Sequence, residues 1–150
     1  MNLRIVVLSI TIVLATGFAN RVFACGCLGT AFGPDYRQRA DVVFVGKVVA
    51  KRKSDAVEKD GVEVTLEVER VWKGTIFKRT FVYTGATGDL YPFIDSCAIP
   101  FLMDQHYVVF AYRWHGQLVT DVCTGSGGFP YANEVIKQLG PGKPPRRSKH

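Results

Sequence analysis

Apolar and polar positions alternate most cleanly from Val62, where Val62, Val64, Leu66 and Val68 are separated by Glu63, Thr65, Glu67 and Glu69. A period of two predicts a strand with one buried and one wet face. After Val68 the phase slips, since Val71 rather than Arg70 is the next apolar residue. A bulge near Glu69-Arg70 accounts for the slip. Upstream, Asp41 to Ala50 (DVVFVGKVVA) is rich in Val and Phe and predicts a strand with Gly46 at a bend or bulge. Lys51 to Asp60 is polar and charged, and the step Asp60-Gly61 suits a hairpin turn. Trp72-Lys73-Gly74 closes the second strand with a turn. Arg79 to Thr84, Gln105 to Arg113 and Gln117 to Val122 read as the third, fourth and fifth strands, the last two joined by a tight turn at His115-Gly116. Asn133 to Leu139 predicts a short helix stopped by Gly140-Pro141.

Five strands, mostly antiparallel, with bulges and one long connection from Gly85 to Asp104, predict a mainly β protein. The expected architecture is a five-stranded closed barrel, OB-fold-like (the oligosaccharide/oligonucleotide-binding type), with a short C-terminal helix.

The N-terminal pattern is different. Arg4 precedes an apolar run from Ile5 to Phe18, Asn20 and Arg21 break it, and Val22-Phe23-Ala24 places short residues around a cut after Ala24. This is the grammar of a secretory signal peptide. At about 14 residues the run falls short of the roughly 20 that a spanning helix needs, and no later stretch is apolar enough to serve as a transmembrane segment. Residues 1–24 therefore read as a signal peptide, 25–139 as one domain, and 140–150 as a disordered basic tail. The expected location is secreted or periplasmic. Removing Arg4 and Arg21 lowers the formal charge from +6 to +4. The remaining excess sits largely in the tail GKPPRRSKH, where no aromatic residue interleaves the charges, so nucleic acid is not an expected partner. A monomer is expected.

The four cysteines, Cys25, Cys27, Cys97 and Cys123, all follow residue 24. An even count behind an export signal predicts two disulfides. Pairing Cys25 with Cys27 would close a ring over one residue, which fits disulfide geometry poorly; the other two pairings remain open on geometry alone. No catalytic constellation emerges. His106, His115 and His150 are scattered without zinc-ligand spacing. The run Cys123-Thr-Gly-Ser-Gly-Gly-Phe-Pro has no base and orienting acid to make its serine a nucleophile. No enzyme and no resident cofactor are expected.

Cys25-Gly26-Cys27 at the predicted mature start, ADVVFVGKVV some fifteen residues on, a strand ending VWKG, IDSC at Asp95 to Cys97, and Cys123 occur in this order. Together they resemble the N-terminal inhibitory domain of the tissue inhibitors of metalloproteinases (TIMP-like, within the netrin-like OB-fold superfamily), over about Cys25 to Leu139. The resemblance implies disulfides Cys25–Cys97 and Cys27–Cys123. It also implies a partner, a zinc metalloproteinase, contacted through Cys25, Gly26, Cys27, Leu28, Ser96 and Cys97. Cys25 would ligate the target's zinc in trans, so the metal belongs to the partner. Two alternatives stand beside this metalloproteinase-inhibitor reading: a non-inhibitory secreted netrin-like binding module, and a lipoprotein anchored through Cys25.

Overall fold

The computed structural model describes residues 38–54, 61–85 and 97–147. Within them the chain forms β1 (Val42–Lys53), β2 (Val62–Lys73), β3 (Arg79–Thr84), β4 (His106–Trp114), β5 (Gln117–Val119), β6 (Gly127–Gly128) and the α-helix α1 (Tyr131–Leu139). The order β1-β2-β3-β5-β4, with β4 returning to pair with β1, closes a five-stranded barrel, and β6 is an outer strand on β4. Neighbours are antiparallel except β3 and β5, which meet in parallel at Tyr83 and Val119.

The alternation in β2 is what fills the barrel. Val62, Val64, Leu66 and Val68 point inward with Val42, Phe44 and Val48 of β1, Val82 of β3 and Val109 of β4. Ile99 and Phe101, from the connection before β4, complete this core. A second cluster lies outside the barrel, where Val43, Val108 and Phe110 pack against Ala132 and Val135 of α1. β1 and β4 are thus buried on both faces, which explains their near-continuous apolar sequences.

Bulges bend the two 12-residue strands around the core. Val45 pairs with Arg70 and Gly46 with Val68, which leaves Glu69 as the extra residue at the predicted slip. Gly46 sits where the strands come closest: a Cβ there would lie 2.8 Å from the Glu67 carbonyl oxygen. The β4–β5 turn has His115 at φ 46° and Gly116 at φ 83°, the paired positive values of a type I′ hairpin.

Several boundaries differ from the sequence reading. β1 continues through Lys53, so the expected polar turn begins later, and its Asp60 lies outside the described residues. β5 stops at Val119, and Val122–Thr124 forms a 3-10 turn instead. α1 begins at Tyr131 rather than Asn133. The wet face expected on β2 is only half wet: Glu63 and Thr65 are 3% and 7% exposed, and Arg52 and Tyr83 close over the Glu63 carboxylate from β1 and β3.

Of the tail expected to be disordered, residues 140–147 are described, and they pair with the barrel. Lys143 and Val71 exchange both backbone hydrogen bonds at 2.8 Å. Arg146 N–H donates to Ile76 O at 2.8 Å, and Lys78 N–H donates to Arg146 O at 2.9 Å. The Trp72 indole N–H also donates to Gly140 O at 2.8 Å. Main-chain bonds leave no hydrophobic period, so the sequence pattern could not display them. Residues 1–24 and Cys25 to Leu28 lie outside the described residues. No helix among those described is long and apolar enough to cross a membrane.

Candidate functional site at the exit of β3 and β5

Of the residues singled out in the sequence, Cys97 and Cys123 are described, whereas Cys25, Gly26, Cys27, Leu28 and Ser96 are not. The fold brings the two described cysteines to one place. β3 ends at Thr84, whose buried hydroxyl accepts the Ile99 N–H at 3.1 Å. This bond returns the long connection to the strand it left. β5 reaches the same point from the other side, with Thr120 N–H donating to Tyr83 O at 2.9 Å. The Val122 N–H then donates to Cys97 O at 3.0 Å, so Cys97 and Cys123 stand on adjacent backbones.

Each cysteine is held by its own local structure. On one side, Ala98, Ile99 and Phe101 are buried. The Tyr107 hydroxyl donates to Pro100 O at 2.9 Å and accepts the Leu102 N–H at 2.8 Å. On the other side, Asp121 caps the 3-10 turn, its Oδ1 accepting the Cys123 N–H at 2.8 Å. Thr120, Thr124 and Ser126 share hydroxyl contacts of 2.8–3.0 Å. Ser126 Oγ also accepts the Phe110 N–H at 2.7 Å. That engagement makes it a structural loop residue.

Two cysteines separated by one residue constrain their partners. In an extended Cys-Gly-Cys segment the outer Cα atoms lie about 7 Å apart, and a disulfide spans about 4.4–6.8 Å between Cα atoms. Both partners must therefore sit side by side. The Val122–Cys97 bond puts Cys97 and Cys123 on neighbouring backbones. The adjacency serves either of the two pairings left open.

Next to the site is a buried polar group that the alternating pattern concealed. The Glu63 carboxylate accepts from the Tyr83 hydroxyl at 2.7 Å and from Arg52 Nη2 at 2.9 Å. The Arg52 guanidinium holds the Glu63 carboxyl below its usual range. Burial, aided by the neighbouring carboxylate, pushes the Tyr83 phenol up to about 12. Glu63 pairs with Tyr83 across the ladder and Arg52 with Glu63, so the three form one row across β1, β2 and β3. Asp121, two residues before Cys123, was the more legible signal, since an Asx side chain binding the N–H two residues on is a common local motif.

Among the described residues, no three His, Cys, Asp or Glu side chains gather as a metal site. His106 pairs with Glu69 at 2.9 Å, and His115 occupies the β4–β5 turn. No known protein-family model matches the chain, and no curated protein matches it.

Proposed function

We propose that the chain is an exported OB-type domain that inhibits a zinc metalloproteinase through a free N-terminal Cys25. The observation that carries this reading is the adjacency of Cys97 and Cys123 at one end of the barrel, joined through the Val122–Cys97 hydrogen bond of 3.0 Å. This is the receiving geometry that a Cys-Gly-Cys segment needs. The proposed pairs are Cys25–Cys97 and Cys27–Cys123, as the resemblance to the tissue inhibitors of metalloproteinases implies.

The chemistry follows from cleavage after Ala24. The α-amino nitrogen and the carbonyl oxygen of Cys25 close a five-membered chelate ring on a metal. An α-amino group with a pKa of about 8 sheds its proton readily when it ligates zinc near neutrality. A catalytic zinc with three protein ligands keeps an open position for water, and a chelating N-terminus displaces that nucleophile. Two disulfides hold the segment rigid and lower the entropy cost of docking. The resemblance implies that Ser96 and Cys97 flank the chelating group on the other side of the cleft, and that the zinc is the target's own. Gly26 brings no side chain to a specificity pocket, so affinity falls by about 1–3 kcal/mol relative to an inhibitor with a small apolar residue there. That same glycine favours the second reading, a netrin-like module that binds without inhibiting.

Peptide mass spectrometry of the exported, unreduced protein tests the first step. The expected result is a free amine on Cys25 with the two proposed linkages, followed by inhibition of at least one enzyme in a panel of zinc metalloproteinases. A diacylglyceryl adduct on Cys25, or an acylated amine, removes the chelator and leaves a lipid-anchored domain. Correct linkages with no inhibition across the panel leave the binding module.

A further inference from the structure

The parallel pairing of β3 with β5 makes the two ends of the barrel chemically unlike. One end holds the exits of β1, β3 and β5 together with Cys97 and Cys123. The other holds the end of β2, the start of β3, the β4–β5 hairpin and the docked segment around Lys143 and Arg146. Toward the cysteine end, Lys47 pairs with Asp104 at 2.8 Å, and Arg52 with Glu63. At the far end Lys78 pairs with Glu67 at 3.2 Å. Arg79, Arg113, Lys143, Arg146 and Arg147 take part in no ion pair among the described residues, and all five are exposed. The carboxylate of Asp41 also faces this end, but its Oδ2 accepts the backbone N–H of Arg113 at 2.7 Å.

Large apolar rings are exposed toward the same end. Phe77 is 51% exposed, Phe81 48% and Trp114 53%. Phe77 is the bridge partner of Arg146, and Trp114 flanks the turn of the β4–β5 hairpin, edge-on to His115. Rings half in water, on the same end as cations that form no ion pair among the described residues, match the two components of an interfacial lipid contact: apolar insertion at headgroup depth and attraction to anionic headgroups. A sulfated polysaccharide uses the cations and gains little from the rings. A single-stranded nucleic acid needs rings lined along one groove as a stacking platform, whereas Phe77 and Trp114 sit on separate turns.

We propose that this end of the barrel docks onto an anionic phospholipid surface, with Lys143, Arg146 and Arg147 on the headgroup phosphates and Trp114 at the interface. The proposal makes no use of the Cys25 amine, and its orientation is opposite to that of a domain anchored by a lipid on Cys25. It orients the molecule with Cys97 and Cys123 facing away from the lipid.

Trp114 supplies the readout, because Trp72, the other tryptophan, is half-buried with its N–H bonded to Gly140. The unreduced protein is titrated with vesicles of phosphatidylglycerol mixed with phosphatidylcholine, and with vesicles of phosphatidylcholine alone. Binding is expected only to the anionic vesicles, weakening as salt is added, with a blue shift of emission that Trp114→Phe abolishes. The triple variant Lys143→Gln, Arg146→Gln and Arg147→Gln keeps the backbone bridges intact. It should bind on the order of 100-fold more weakly, at roughly fivefold per cation. Equal binding to both vesicle types overturns the proposal, as does absence of binding to either. Anionic-vesicle binding without a shift at Trp114, matched by equal or tighter binding to heparin or to a single-stranded oligonucleotide, overturns it in favour of a general polyanion site.

Discussion

Replacing Tyr83 by Phe removes one oxygen from the barrel wall and tests the polar row across β1, β2 and β3. The ring is 8% exposed and its hydroxyl donates to Glu63 at 2.7 Å. A hydrogen bond to a charged acceptor is worth about 1.5–3 kcal/mol. Arg52 still reaches the carboxylate, so the lower half of that range, about 2 kcal/mol, is expected at neutral pH. For a domain of this size the melting temperature should fall by roughly 6–12 °C. The pH dependence is the sharper part. Burial and the Glu63 carboxylate raise the Tyr83 phenol to about 12, so the folded state holds that proton more tightly than the unfolded chain does. Stability from this group is complete below the ordinary phenol value of about 10 and is lost as pH climbs through about 12. The wild-type advantage over Tyr83→Phe should therefore shrink between those values, while it stays level from pH 7 to 9. Urea unfolding of both proteins at four or five pH values reads the difference directly and cancels other alkaline titrations. An advantage below about 0.5 kcal/mol at pH 7, or one unchanged up to pH 11.5, would refute the reasoning about a buried, carboxylate-bound phenol.

Three further outcomes follow from the same wall. Gly46→Val drives its Cβ to within 2.8 Å of the Glu67 carbonyl, which is backbone and cannot swing aside, so a loss of about 1–3 kcal/mol in thermal unfolding is expected; an unchanged melting temperature would mean that the bulge relaxes freely. Asp121→Ala deletes the acceptor for the Cys123 N–H. It should cost about 1 kcal/mol, with Asp121→Asn retaining most of it; equal losses in both would point to charge rather than capping. Deleting residues 141–150 strips the partners from the Val71 and Lys78 amides. Their hydrogen exchange should accelerate while the amides of β4 keep their protection; unchanged exchange would show that the segment does not pair in solution.

The barrel was legible because its inner face is written in one strand. Val62 to Val68 alternates without interruption, and the slip to Val71 locates the bulge that the pairing of Val45 with Arg70 and Gly46 with Val68 displays. The burial of Glu63 was not legible, since an alternating glutamate looks identical whether water or a neighbouring arginine covers it. Only the register that places Arg52 and Tyr83 on either side separates the two cases. Docking of the tail was hidden for another reason. Lys143 and Arg146 contribute main-chain groups to β2 and to the start of β3, and main-chain groups carry no sequence signature. The cysteines stood between these extremes. Count and spacing predicted a disulfide framework, while the adjacency of Cys97 and Cys123 is visible only in the fold.

That adjacency follows from the way the barrel closes. Antiparallel neighbours place the end of one strand beside the start of the next, so two outgoing chains never leave together. A parallel pair does the opposite. β3 and β5 are the one parallel pair of the barrel, and past Tyr83 and Val119 both chains emerge on the same side. The chain after β5 turns at once through Asp121 to Cys123. The chain after β3 returns to its own exit where Ile99 binds Thr84, and Cys97 arrives two residues before that contact. Two cysteines carried by these segments are neighbours by topology, whatever their separation in sequence. The proposed pairs Cys25–Cys97 and Cys27–Cys123 rest on that neighbourhood at the exit of the parallel pair.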